Sequence, residues 1–327
     1  MIFEFTVLPG FNFVTSFAEK FKIPVFKDKL IIPTKLGEGY IKKIDVDADL
    51  KLLTHHYTLK QDFHLKRLAP PEGSNFISIV FNSTEIPTNC KGNKQSICTS
   101  FKKNGSAIHI SSSSLGTETF FPANSEIYFT VLGIEPRFLA SLLNVKKTNK
   151  IVETILNGKT DFFFHEQMSP DFKHILKQLD EINQQDKLSH LYYKIKIQEL
   201  LYLLFGKLLN RENETHSSIN KADVDKIYNI RTAIISELSS PPSLHELAKT
   251  AGMSETKMKQ LFKQTFGDSI YNYYQRARMD QASFLLKQAA YSVTEVGYQL
   301  GFSNLSHFSR LFQKHHGLTP KKFTSVG

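Results

Sequence analysis

Ser243-Leu-His-Glu246-Leu-Ala248-Lys-Thr-Ala-Gly252-Met-Ser254 and Ser292-Val-Thr-Glu295-Val-Gly297-Tyr-Gln-Leu-Gly301-Phe-Ser303 are two copies of one pattern, offset by 49 residues. Each opens on a Ser-x-x-Glu capping box, which satisfies orphan N–H groups at a helix start. Five positions after the cap serine each has a small residue, Ala248 or Gly297, where a second helix can cross closely. Nine positions after it comes a glycine, Gly252 or Gly301, free to take the left-handed turn that ends a helix. A second N-cap serine follows, Ser254 or Ser303, and opens another helix. Leu261-Phe262 and Leu311-Phe312 anchor these second helices, and Gly267 and Gly317 end them, now 50 residues apart. Helix, short glycine turn, helix, twice in register, is the helix-turn-helix signature.

That pattern assigns faces. In the first of the second helices, Met258, Leu261 and Phe262 point to a core, leaving Glu255, Thr256, Lys259, Gln260 and Lys263 outward. In its counterpart, Phe308, Leu311 and Phe312 go inside, and Asn304, Ser306, His307, Arg310 and Lys314 remain outside. A single charged face is ordinarily just a solvated face; two in register point to DNA. Thr256, Lys259, Gln260, Ser306, His307 and Arg310 are the expected base-contacting residues. Arg310 suits a guanine O6/N7 edge, Gln260 an adenine edge, and Lys259 a guanine or a phosphate. Lys263, Lys314 and His315, further along the helices, are expected to meet phosphates, with Asn304 and the cap serines Ser243, Ser254 and Ser292 at helix starts. The helix between the motifs, about Ile270 to Lys287, would be roughly 27 Å long at 1.5 Å per residue. That spacing places the recognition helices about one DNA turn apart, in successive major grooves. Arg278 on this connecting helix is expected to serve structure.

Outward from the repeat, the pattern changes twice. Residues 1–135 form a strand-rich domain. Ile77, Ile79 and Phe81 alternate with Ser78, Val80 and Asn82, and Ile127, Phe129 and Val131 with Tyr128 and Thr130. Pro70-Pro71-Glu72-Gly73, Lys103-Asn104-Gly105 and Pro122-Ala123-Asn124 punctuate the runs, as in a small barrel or sandwich. Residues 136–210 turn helical. One helix starts at Ser169-Pro170-Asp171 and carries Phe172, Ile175, Leu176, Leu179 and Ile182. A second carries Leu191, Ile195, Leu201, Leu204, Phe205 and Leu208, with an apolar face wide enough to pack on two sides. The polar stretch 211–220 reads as a linker. The all-α part, 221–327, begins with the stripe Val224, Ile227, Tyr228, Ile234, Ile235 and Leu238, which stops at Ser239-Ser240-Pro241-Pro242. The fold class is α+β followed by an all-α domain.

The 327 residues carry 41 Lys+Arg against 31 Asp+Glu, a formal charge of +10. The excess is denser from Lys221 onward and favours an anionic partner. Two cysteines, Cys90 and Cys98, exclude a disulfide scaffold and are expected as free thiols rather than a redox pair. The start of the chain lacks a basic n-region. The most apolar stretch, Leu191 to Leu209, is interrupted by Lys194, Lys196, Glu199 and Lys207, against a membrane span. A cytoplasmic protein is expected. Gly158-Lys159-Thr160 lacks the upstream glycine of a phosphate loop, since position 153 is Glu153. His165-Glu166 and His245-Glu246 lack the second histidine of a zinc protease. His55, His56 and His64 are expected to pack rather than to bind metal, and Phe162-Phe163-Phe164 to be core or interdomain packing rather than an effector site. No catalytic constellation, cofactor or metal is expected, so the chain reads as a non-enzyme. An effector-independent architectural DNA-binding protein and, further off, a cupin-type enzyme are the alternatives.

From about Lys221 to Phe323 the sequence resembles the AraC/XylS family of bacterial transcription regulators. The resemblance rests on Gly297, Gly301, Phe302, Ser306, Phe308, Arg310, Phe312, Gly317 and Thr319-Pro320, with Tyr273, Arg278, Ala282, Leu285 and Leu286 on the connecting helix. Glycine replaces the usual alanine at 297, and Ser269-Ile270 stands where Thr-Pro is common. The resemblance implies double-stranded promoter DNA and RNA polymerase as partners, activation as the sign of regulation, and a cupin-like barrel as an effector-sensing N-terminal domain. It also implies that 136–210 is a dimerisation or coupling segment of a homodimer. Neither the effector nor its site is specified.

Overall fold

Alternation of side chains along the first third of the chain builds paired strands whose two faces are both buried. The computed structural model describes residues 1–326 other than 9, 27, 71–75, 84–105, 159–160, 184, 212–218 and 289–290. Cys90, Cys98, the turns at 71–73 and 103–105, Lys159-Thr160 and most of the expected linker lie outside the described residues. Met1–Asp225 with Gln264–Gly267 form one compact unit, and Lys226–Lys263 with Asp268–Gly327 a second.

In the first unit, β1 (Ile2–Thr6) leads to helix α1 (Phe13–Phe21), then β2 (Val25–Phe26), β3 (Lys29–Ile31), β4 (Gly37–Asp47), β5 (Leu50–Leu59), β6 (Phe63–Leu68), β7 (Ile77–Asn82), β8 (Ala107–Ser112), β9 (Thr117–Phe121) and β10 (Glu126–Ile134). Helices α2 (Pro136–Leu143) and α3 (Lys150–Asn157) precede β11 (Phe163–Gln167), and α4 (Pro170–Glu181) and α5 (Ser189–Leu209) follow it. The strands form a three-stranded sheet, β1-β6-β9, and an eight-stranded sheet, β11-β8-β7-β10-β5-β4-β3-β2.

Among the described residues neither sheet closes on itself, and the strands of the expected barrel form two open sheets. One face of the large sheet carries the row Leu52, Leu132, Ile79 and Ile110, each paired across to the next strand. Those residues pack with Leu139, Ile155, Phe172, Ile175, Leu200 and Leu204 of the helices. The other face carries Tyr57, Phe129 and Ile127, which pack with Phe3, Phe63 and Phe121 of the small sheet and with Phe13 and Phe17 of α1.

Three features depart from the sequence reading. Helix α1 stands where only strands were expected; Asn12 Oδ1 caps it by accepting from Val14 N at 3.0 Å, and Phe13, Val14, Phe17 and Ala18 bury one face. Strand β11 interrupts the segment 136–210 and extends the large sheet beside β8, because Phe162 and Phe164 seat in the helix-side core. On α5 the buried face is Tyr193, Ile197, Leu200, Leu201, Leu204, Phe205 and Leu208. Leu191 and Ile195 are instead exposed, at 52% and 48%. The two-sided apolar helix has one side in the core and the other in solvent.

The remaining helices are α6 (Lys221–Ser236), α7 (Leu244–Ala251), α8 (Glu255–Phe266), α9 (Ile270–Lys287), α10 (Val293–Gln299), α11 (Leu305–His316) and α12 (Pro320–Val326). Helix α9 has the expected bounds. Its start shows why Ser269-Ile270 is an acceptable departure: Ser269 Oγ accepts from Asn272 N at 3.2 Å and caps the helix. Met279, Ala282, Leu285 and Leu286 of α9 meet Val296, Leu300, Phe302, Phe308 and Phe312 in a single core.

Candidate nucleic-acid interface

The repeat folds as its caps dictate, with one asymmetry. At Ser292 the capping box is complete: Ser292 Oγ accepts from Glu295 N at 3.2 Å, and Glu295 Oε2 accepts from Ser292 N at 2.7 Å. Those bonds hold the Glu295 carboxyl below its ordinary range. At Ser243 the serine half is made, its Oγ accepting from Glu246 N at 3.3 Å. Ser254 caps α8 in the same way, accepting from Lys257 N at 3.3 Å.

For α11 the cap is Asn304, one residue later than Ser303. Its Oδ1 accepts from Ser306 N at 2.9 Å and His307 N at 3.1 Å. A carboxamide on an extended residue reaches both free N–H groups of the first turn, so it displaces the serine. The Asn304 oxygen is thereby occupied, and its NH₂ is the group available to a phosphate.

Two glycines set the helix crossings. Gly301 has φ +75°, and a Cβ there would fall 1.6 Å from the Ser239 carbonyl oxygen. At Gly297 a Cβ would sit 2.6 Å from Leu305 Cδ2 and 3.3 Å from Phe308 Cδ1. Helices α10 and α11 therefore cross with glycine rather than alanine at the closest point.

Behind the crossing lies Arg278, 6% exposed. Its Nε and Nη2 both donate to Leu300 O, at 3.1 and 2.5 Å, and Nη1 donates to Gln275 Oε1 at 3.3 Å. The guanidinium lies 3.7 Å from the Phe302 ring centroid. Arg278 thus satisfies a carbonyl at the end of α10 and ties it to α9, the structural role expected of it. Sequence reasoning did not find a second buried arginine, Arg231, whose Nε donates to Tyr273 Oη at 2.6 Å. Its place on the apolar side of α6, one turn after Tyr228, was the available signal.

The outward residues stand as the helical period requires. Met258, Leu261 and Phe262 are buried, while Thr256, Lys259 and Gln260 are exposed and Lys263 is half-buried. On α11, Phe308 and Phe312 are buried and Leu311 packs against the same core. Asn304, Ser306, His307, Arg310, Lys314 and His315 are exposed. Lys259 Nζ lies 3.1 Å from Glu255 Oε2, a surface pair that water and salt weaken. The pair moderates the positive charge of the first face. Partial desolvation first, and then His316 and Lys314, push His315 below the ordinary histidine range.

Among the described residues no cluster of His, Cys, Asp and Glu could hold a metal ion, and no helix is long and apolar enough to cross a membrane.

A family model described as a helix-turn-helix domain matches residues 247–325. The HTH-type transcriptional activator RhaR of Escherichia coli (strain K12) is 29% identical over 129 residues, covering 38% of this chain and 46% of that protein. The chain thus matches less than half the length of this relative. Among solved structures, a transcriptional regulator with an AraC-type DNA-binding domain from Chromobacterium violaceum is 28% identical, over 32% of this chain and 95% of that one, with a TM-score of 0.30. A probable AraC family transcriptional regulator from Rhodopseudomonas palustris is 25% identical, over 31% and 96%, with a TM-score of 0.29. The similarity to known regulators thus lies in the doubled helix-turn-helix region, which matches the helix-turn-helix family model and part of the RhaR transcriptional activators.

Proposed function

We propose that the protein is a transcription regulator that binds double-stranded promoter DNA with α8 and α11 in successive major grooves. The observation that carries this reading is the pair of capped, glycine-turned helix-turn-helix units, each with an exposed polar face, joined by the 18-residue helix α9. Thr256, Lys259, Gln260, Ser306, His307 and Arg310 read base edges. Ser243, Ser254, Lys263, Ser292, Asn304, Lys314 and His315 meet the phosphate backbone. Residues 221–327 form the DNA-binding domain, 211–220 a linker, 136–210 the coupling segment and 1–135 a cupin-like sensor of a small molecule. Activation is supported by the similarity to the RhaR transcriptional activators, and RNA polymerase would be the partner that carries it. A homodimer is supported by exposed Leu188, Leu191, Ile195 and Tyr202, which line one stripe at α5. Effector binding would shift populations between states that bind DNA differently, without chemistry. Cytoplasmic location follows from the DNA target.

Arg310→Ala and Lys259→Ala test the interface against the cognate promoter. Losing the Arg310 guanine contact should cost about 1–3 kcal/mol, roughly 10- to 100-fold in affinity, and relax preference at one base pair. Affinity should also fall steeply with added salt. If both variants kept full affinity and sequence preference, the assignment of α8 and α11 would be wrong.

A further inference from the structure

Alternate residues of a strand share a face, so β6 sends Phe63, Leu65 and Arg67 into the space between the two sheets. Phe63 and Leu65 join the apolar packing there. Arg67 crosses to the facing sheet, where Nη2 donates to Ser111 Oγ at 3.1 Å, Leu115 O at 2.8 Å and Ser112 O at 3.4 Å. The residue is 9% exposed.

All three acceptors are neutral. Asp161, the carboxylate bonded to this serine turn, accepts at Oδ1 from the hydroxyls of Ser112 and Ser114 and not from Arg67. Arg67 Nε is buried and has no hydrogen-bond partner among the described residues. Burial alone moves the guanidinium down, to about 10. A cation withdrawn from water needs a counter-charge, and a buried N–H needs an acceptor. Neither is supplied by the described residues. Ser78, the cross-strand neighbour of Ser111, is also largely buried and shares with it one face of the large sheet.

We propose that Arg67 anchors a small organic anion between the two sheets of the first unit, its carboxylate or phosphate oxygen accepting from Nε. Ser78 supplies a second donor. The anion completes a charge pair that the described residues leave open, and it names the chemical class of the effector. The identification as effector rests on reading this unit as a sensor; the binding site does not.

The test uses the intact chain at constant ionic strength, with chloride replaced by acetate in one series and by inorganic phosphate in another. Thermal unfolding and hydrogen exchange at β6 and β8 are followed. At least one anion should raise the melting temperature and slow exchange at Phe63–Leu68 and Ala107–Ser112 at least tenfold; which series responds tells carboxylate from phosphate. Arg67→Met should remove the response while keeping promoter affinity in chloride within twofold. If Arg67→Met does not fold, Ser78→Ala, which leaves the arginine and its three bonds in place, should weaken anion binding several-fold. Exchange in β6 and β8 that ignores both anions would overturn the site, as would a response that survives in the variant. Protection of β6 with promoter affinity unchanged by the anion would leave the site standing and refute the sensor reading alone.

Discussion

Two buried arginines measure the difference between the two units. In the second, Arg278 has a carbonyl at the end of α10, the Gln275 amide oxygen and the Phe302 face as partners. In the first, Arg67 has three neutral acceptors on one nitrogen and none on Nε. The contrast extends beyond arginine: His55 Nδ1 and Tyr57 Oη, facing the same intersheet space, are buried without a hydrogen-bond partner among the described residues. The second unit is built from closed local motifs, in which each cap and turn satisfies its own polar groups. The first leaves polar capacity inside, which fits a domain that takes up something from outside.

Substitutions can break that contrast. The largest effect is expected at Gly301→Ala, where positive φ and the Ser239 carbonyl both resist a side chain. The backbone conformation costs about 1–2 kcal/mol and overpacking about 1–3 more. Denaturant unfolding should show a loss of about 3 kcal/mol in the second unit, with promoter binding lost in proportion.

His55 tests the first unit. Burial lowers it to about 3, so the folded state refuses a proton that the unfolded chain accepts below about 6.5. Stability therefore falls as pH drops through that window, by about 1.4 kcal/mol per unit, reaching about 2 kcal/mol near pH 5. His55→Phe, in a pocket already bounded by Phe13 and Phe129, should flatten this limb in a urea titration between pH 7 and 4. An unchanged slope would mean that His55 is not the residue responsible. A smaller loss, about 1 kcal/mol, is expected for Asn304→Ala, which uncaps α11. Hydrogen exchange should locate it in the first turn, at Ser306 and His307. The smallest effect has the opposite sign. Gly206→Ala on α5, where a Cβ meets nothing within 4 Å, should gain up to about 1 kcal/mol.

The double motif was legible because its physics is local. Cap serine, small residue and glycine occupy fixed steps along a few turns, and Met258, Leu261 and Phe262 fell on the face they had to occupy. Its one slip, Ser303 for Asn304, involved adjacent residues that can both cap a helix. The sandwich hid more, because both faces of its large sheet are buried. Ser78, Val80 and Asn82 alternate with Ile77, Ile79 and Phe81, but alternation does not say which strand lies opposite or that Arg67 will meet Ser111. Helix α1 was missed although Asn12 and the spacing of Phe13, Phe17 and Phe21 announce it, since phenylalanine is equally at home in strands. Leu191 and Ile195 read as core because hydrophobicity marks what can be buried, not what is.

Helix α9 sets an angle as well as a span. Its 18 residues are five whole turns, so its two ends point in nearly the same direction. One added residue would lengthen it by about 1.5 Å and rotate whatever follows by about 100°. DNA turns that far only over about three base pairs, so such an insertion would leave the second recognition helix in reach of the duplex but facing away from its groove. The length of α9 is thus a phase relation between the two motifs, quantised by the helical turn.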